Sequence, residues 1–272
     1  MIYFSDANNK LKALYDVPQL LGHLQPHRKV YSLDLLSGWS CPFAKDCLSK
    51  VHETGNLTKS GNPQVVLKDG PETEFRCFSA SQEVLLPNVY KRRKHNFDTL
   101  KNMSSVNDMT REIDSNLPED TGILRYHVGG DFFNSKYFFA AINVAFMNPT
   151  KLFYAYTKSL RYWIQYRDVL PLNFILTASR GGRDDWMIDE HGLRESVVVF
   201  SEAEAEEKGL EIDHDDSHAA IPSWQDFSFA LLIHGVQPKG SKASKALSAL
   251  KGKGSYGRKA KVWIANNEIF FS

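Results

Sequence analysis

The chain has 272 residues, 42% hydrophobic and 24% charged, with a formal net charge of +1. That composition excludes a low-complexity disordered chain, and a balance so near zero gives no whole-chain signal for nucleic acid. No apolar run is long enough to span a membrane, and MIYFSDANNK lacks the basic-then-apolar pattern of a signal peptide, so an intracellular, reducing location is expected.

Val30 to Leu36 reads as a short buried strand that delivers the chain to Gly38 and Cys41. Residues 48–118 are the least periodic part and include GNLTKSGNP and the basic turn Lys91, Arg92, Arg93, Lys94. Helix is expected between Ser81 and Met109, inside an irregular insertion that is not a separate domain. Ile123 to Val128 is a strand running into Gly129, Gly130 and Asp131. Ser135 is placed to cap a helix to Met147, stopped by Asn148-Pro149. Leu152 to Tyr156 is a strand ending in Thr157, Lys158 and Ser159; Asn173 to Ala178 ends in Ser179, Arg180, Gly181, Gly182 and Arg183. Val197 to Phe200 runs into Ser201 and Glu202, and Phe227 to Ile233 into His234 and Gly235. Val262 to Ala265 and Ile269 to Phe271 suit a closing hairpin or last strand.

The repeating form is apolar strand, polar or glycine-rich end, helix. Continuous apolar strands are those covered on both faces, and crossover helices make their sheet parallel. The expected fold is therefore α/β: one domain over residues 1–272, with a parallel β/α barrel, partial or complete (TIM-like), and the 48–118 insertion after its first strand. No GxGxxG opens a helix, so a dinucleotide-binding fold lacks its fingerprint. Ligands of such folds sit at the C-terminal strand ends, which gathers Cys41, Asp131, Lys158, Arg180, Glu202 and His234 as candidate site residues.

The only cysteines are Cys41, Cys47 and Cys77, an odd number that leaves one thiol over in any disulfide scheme. Thiolates are soft charged ligands for iron or zinc. The five residues between Cys41 and Cys47 exceed the spacing of structural zinc knuckles, although His52, His23 or His27 would complete a four-ligand zinc site. Cysteines that merely pack are the plain alternative. In HVGGDFF, Gly129 and Gly130 allow close approach, and Asp131 offers a carboxylate to a cofactor amine, a sugar hydroxyl or a metal, or else caps the next helix. Lys158 and the TASRGGRDD loop suit phosphate or carboxylate, or simply solvent. HDDSH at 214–218 suits a divalent metal or a polar loop; with Asp131, His214, Asp216 and His234 it makes a metal-dependent hydrolase or nuclease the rival reading. Between Lys239 and Lys261 lie eight Lys and Arg and no acid, within a basic loop or helix region at 236–261. That stretch is the candidate nucleic-acid contact, and it underlies a third reading as a non-enzymatic nucleic-acid-binding protein.

The strings LDLLSGWSCPFAKDC, FRCFSASQE, HVGGDFF, FYAYTKS, LTASRGGR, VVFSEAEA, LEIDHDD and FALLIHGVQPKGSKASKAL resemble the bacteriophage gene-product-88 family over roughly Tyr31 to Lys259. The resemblance implies a viral protein working in the cytoplasm of an infected bacterium. A more distant similarity is to radical S-adenosylmethionine enzymes, which carry three cysteines after the first barrel strand and a GGE-like motif after the second. It implies a 4Fe-4S cluster on Cys41, Cys47 and Cys77 and an S-adenosylmethionine site at Gly129, Gly130, Asp131 and Arg180. It also implies an electron donor and a small-molecule or nucleotide substrate. This chain departs from the usual CxxxCxxC in having gaps of five and twenty-nine residues, and Asp131 stands where glutamate is usual.

Overall fold

The computed structural model describes residues 1–250. The expected closing elements at Val262–Ala265 and Ile269–Phe271, and the basic residues from Lys251 to Lys261, lie outside the described residues.

In chain order the elements are β1 (Ser5–Asp6), α1 (Asn9–Lys12), α2 (Leu21–Leu24), β2 (Lys29–Leu33), β3 (Ser49–Leu57), β4 (Pro63–Asp69), α3 (Phe78–Leu85), α4 (Pro87–Lys101) and α5 (Val106–Asn116). There follow β5 (Thr121–Tyr126), α6 (Ser135–Met147), β6 (Leu152–Thr157), α7 (Leu160–Gln165), β7 (Phe174–Ser179), α8 (Trp186–His191), β8 (Glu195–Val199), α9 (Glu202–Glu207), α10 (Ser217–Ala220), β9 (Phe229–Leu232) and α11 (Lys242–Ala249).

Six strands, β2, β5, β6, β7, β8 and β9, pair in parallel as neighbours in the order they occur in the chain. β1 adds an antiparallel edge beside β2, so the seven-stranded sheet is mixed. Among the described residues its ends are β1 and β9, which do not meet, so the complete barrel is not formed. No strand order reverses, and the crevice of a doubly wound sheet is therefore absent as well.

One face of the sheet packs Tyr31, Leu33, Leu124, Tyr126, Phe153, Ala155, Phe174 and Leu176 against α4, α5 and α6. The other face buries Val30, Ile123, Tyr154, Ile175 and Phe229 against Leu11, Leu14, Val17, Leu20 and Leu24 of the N-terminal segment and against Ala219, Ala220 and Ile221. This double cover explains the unbroken apolar strands; β5 is buried at all six positions. The irregular reading of 48–118 is corrected: β3 and β4 form an antiparallel hairpin around the GNLTKSGNP turn, and three helices follow. Both strands stand largely in solvent; only Val51, Val65 and Leu67 pack on the core, and so short an apolar set among polar neighbours gives a weak strand signal. Asn134, not Ser135, caps α6, its side chain accepting from the Tyr137 amide at 2.8 Å.

A buried charge network ties the N-terminal segment to the sheet. Lys10 Nζ lies 2.7 Å from Asp216 and 3.2 Å from Asp213. Asp216 also pairs with Arg125 of β5 and accepts from the Tyr154 hydroxyl at 2.9 Å and the Tyr156 hydroxyl at 3.2 Å. His218 bridges Asp213 at 3.2 Å and Glu211 at 3.1 Å. Burial opposes a charged ring there, but the hydrogen bonds and charges of Asp213 and Glu211 outweigh it and raise the His218 pKa to about 9.

A folded-state pKa above the ordinary histidine value makes this contribution complete below about pH 6.5, and it is lost as pH rises through about 9. Chemical denaturation is therefore expected to show stability falling across that window, with His218→Gln flattening part of the fall. An unchanged slope in the variant would contradict the charged bridge.

Candidate functional site

The segment after β2 runs across the C-terminal ends of the parallel strands. Leu35 donates its amide to the Gly129 carbonyl at 2.8 Å, beyond β5. Further on, the amides of Lys45 and Asp46 donate to the Gly181 carbonyl at 3.3 and 3.0 Å, beyond β7, and Ala44 bridges Gly182. Cys41 and Cys47 are thereby fixed over this end of the sheet. The insertion then returns: Glu74 and Phe75 donate to the Asp46 carbonyl at 2.8 and 3.1 Å, and the Cys77 amide donates to Ser49 Oγ at 3.2 Å. Cys77 becomes the residue that precedes α3.

Gly129 and Gly130 make room for these two segments. A Cβ on Gly129 would lie 2.2 Å from Ser79 Oγ and 2.7 Å from the Arg93 guanidinium carbon. A Cβ on Gly130, whose φ is +92°, would lie 2.6 Å from Ser40 Oγ. Ser40 adjoins Cys41, and Ser79 follows Cys77 by two residues. The glycines thus receive the thiol-bearing segments, where the sequence suggested close approach of a cofactor.

All three cysteines are free of disulfides and half-buried. Burial, then the charges of Asp131, Cys77 and Cys47, push the Cys41 thiol well above its ordinary value. The Gly38 amide, 3.3 Å from Cys41 Sγ, pulls the other way. Burial, then Cys47, push Cys77 up to about 12, against the amides of Ala80 and Ser79 at the start of α3. Each thiol therefore lies within electrostatic reach of the other two. As the side chains stand, no three His, Cys, Asp or Glu among the described residues form a ready metal-ligating set. The donor type nonetheless suits a soft cation, which would convert the mutual repulsion of thiolates into attraction.

The other expected site residues are largely engaged by the protein. Asp131 accepts from Thr157 Oγ1 at 2.6 Å, the Phe132 amide at 2.7 Å and the Lys158 amide at 2.8 Å, joining the ends of β5 and β6. Burial lifts its pKa to about 6 against those bonds. Lys158 Nζ donates to the Ser179 carbonyl and hydroxyl, both at 2.8 Å, and to the Arg180 carbonyl at 3.0 Å. Arg180 pairs with Asp189 at 2.8 Å and with Glu195. His127 turns toward α6, its Nε2 2.9 Å from the Tyr137 hydroxyl. Glu202 opens α9, and the His234 ring stacks near Phe78 with centroids 4.5 Å apart. The hydrolase set is not brought together as an open cation site: both oxygens of Asp216 already meet Lys10, Arg125 or tyrosine hydroxyls.

Two residues that shape the site were not singled out from the sequence. Glu83 of α3 is fully buried, and its Oε1 accepts from the Ser37 hydroxyl at 2.7 Å, the Ser37 amide at 3.0 Å and Arg93 at 3.2 Å. Arg93 also donates to Ser79 Oγ at 2.6 Å and the Ser79 carbonyl at 3.1 Å. The signal for Arg93 was its helical spacing with Tyr90, Phe97 and Leu100, all on the buried face of α4.

The profile of the family described as Gene product 88 matches residues 3–251, and the chain belongs to that family. No curated protein and no solved structure matches it. No helix among the described residues is long and apolar enough to cross a membrane.

Thiols raised in this way carry little thiolate near neutrality. In the metal-free reduced protein, iodoacetamide labelling of Cys41 and Cys77, followed by mass spectrometry, is expected to be slow at pH 7 and still accelerating above pH 9. A labelling rate that levels off below pH 9 would contradict the crowded, buried setting.

Proposed function

For this member of the gene product 88 family we propose an iron–sulfur protein of the S-adenosylmethionine-cleaving kind, with its six parallel strands as a partial barrel. What supports the reading is that Cys41 and Cys47, from the segment after the first parallel strand, and Cys77, from the far side of the hairpin, lie within reach of one another's charge, on segments joined by the hydrogen bonds from Glu74 and Phe75 to the Asp46 carbonyl. Strand order supports it too: neighbours in the sheet are successive in the chain, the winding of a β/α barrel that stops short of closure.

In this reading Cys41, Cys47 and Cys77 would hold a 4Fe-4S cluster, beside which S-adenosylmethionine would bind. When bound, such a cluster supplies the electron for cleaving the sulfonium. The chain's own residues bind, brace and shield. The Gly129–Gly130 turn lets the thiol segments close over the strand ends. Asp131 and Lys158 tie β5, β6 and β7 together at that end, which keeps the walls of the site from shifting. The N-terminal segment and α10 fill the sheet face that carries Tyr154 and Ile175 and exclude water from it. Substrates of small-molecule or nucleotide class would enter from the strand ends.

A second reading is a phage nucleic-acid-binding protein without a catalytic centre. The run from Lys239 to Lys261, free of acidic residues, favours it.

Anaerobic purification with iron and sulfide supplied is expected to give a brown protein with about four irons per chain. Replacing all three cysteines by alanine should abolish iron uptake. Adding S-adenosylmethionine should change the electron paramagnetic resonance spectrum of the reduced protein. A colourless, iron-free wild-type product would overturn the reading, and salt-sensitive binding of single-stranded DNA by that product would favour the second.

A further inference from the structure

The Glu83–Arg93 pair stands where three parts of the site meet. Glu83 Oε1 takes three donors: the hydroxyl and amide of Ser37 and the guanidinium of Arg93. Ser37 precedes Gly38, whose amide contacts Cys41 Sγ at 3.3 Å. Glu83 itself lies on α3, the helix that Cys77 begins. Arg93 comes from α4 and lies against Gly129 and Ser79. One carboxylate oxygen thus links the turn bearing Cys41 to the helix bearing Cys77, and through Arg93 to the end of β5. The pair is buried, with side-chain exposures of 5% for Arg93 and 0% for Glu83. Among the described residues no other element supplies a hydrogen-bonding side chain to Ser37.

We propose that Glu83 is a positioning residue that sets the distance between Cys41 and Cys77. The role rests on reading the three thiols as one metal-binding set. The second carboxylate oxygen, Oε2, accepts no hydrogen bond although it is buried. All the bonds that Glu83 contributes to the link therefore run through a single oxygen. A glutamine in this place keeps an acceptor oxygen for every one of them, with its amide nitrogen in the position of Oε2, while the buried Arg93 guanidinium then faces a neutral amide. A methionine fills the same volume and keeps none of them.

The test uses the reduced, metal-free full chain and phenylarsine oxide, which condenses with two neighbouring thiols and releases water. Its probe of distance is independent of iron and of any activity. In the wild-type protein, bridging should consume Cys41 together with Cys77 or Cys47, as mapped by mass spectrometry. Glu83→Met should lower bridging that includes both Cys41 and Cys77 by about tenfold or more, because effective concentration falls once the thiols are no longer held together. Glu83→Gln should bridge like the wild type. Ser37→Ala, a smaller deletion for use if the methionine variant does not fold, should lower bridging by about threefold, the worth of one hydrogen bond. Equal bridging in folded Glu83→Met or in Ser37→Ala would overturn the positioning role. Loss of bridging in Glu83→Gln would also overturn it, since charge and not the link would then matter. A wild-type protein that does not bridge at all would remove the shared thiol set, and with it both this role and the function proposed above.

Discussion

The constraint on which the structure depends is the winding of its sheet. Six parallel strands laid side by side in chain order put every strand end of one kind on one edge, and every connection must return across the same sheet. The segment after β2 is therefore free to run along that edge, touching the ends of β5 and β7 by backbone hydrogen bonds. The insertion of residues 48–118 then has only to come back to it. Cys77 returns beside Ser49, at the start of the same insertion, so a separation of twenty-nine residues from Cys47 is closed by one hairpin.

Thiols within reach of one another's charge repel once they ionise, and the half-buried setting of Cys41 and Cys77 adds to that cost. Around them it places neutralised or hydrogen-bonded groups. Asp34 takes the Val128 amide at 2.6 Å and shapes the turn before Gly129. Glu83 is paired with Arg93, and Asp131 is bonded on three sides. In the function proposed above, this polar frame would hold the three thiols ready for a ligand that needs sulfur donors. It does not suit a site that uses its carboxylates directly. On the sheet face that carries Tyr154, the second buried network joins Lys10, Arg125, Asp213, Asp216 and His218 to the Tyr154 and Tyr156 hydroxyls and to Glu211, and fastens the N-terminal segment.

Much of the parallel sheet was legible because both of its faces are buried and its strands are therefore largely apolar; ILRY, apart from Arg125, and LFYAYT announce themselves. The strand ends were legible because polar residues begin there, although Asp131, Thr157, Lys158 and Ser159 remain buried. The hairpin was not, because β3 and β4 are mostly solvated and their alternation is confined to a few residues such as Val65 and Leu67. The N-terminal plug was missed although Leu11, Leu14, Val17, Leu20 and Leu24 recur every three or four residues; Pro18 breaks the stretch into short turns and hides the helical period. Arg93 reads as one of four basic surface residues until its spacing with Tyr90 and Phe97 is considered. The partners of Arg125 and Asp216, ninety-one residues apart, are set by the fold, and no local pattern encodes them. Arg180 was expected to face a ligand, but β8 lies next to β7 and brings Glu195 within reach of its guanidinium.

The central claim is that sulfur from two distant stretches of chain surrounds one inorganic centre. X-ray absorption at the iron edge of the anaerobically prepared protein tests this most directly. The account predicts a shell of sulfur neighbours at about 2.3 Å together with an iron–iron shell. An iron environment of oxygen and nitrogen alone, unchanged when Cys41, Cys47 and Cys77 are replaced, would contradict it.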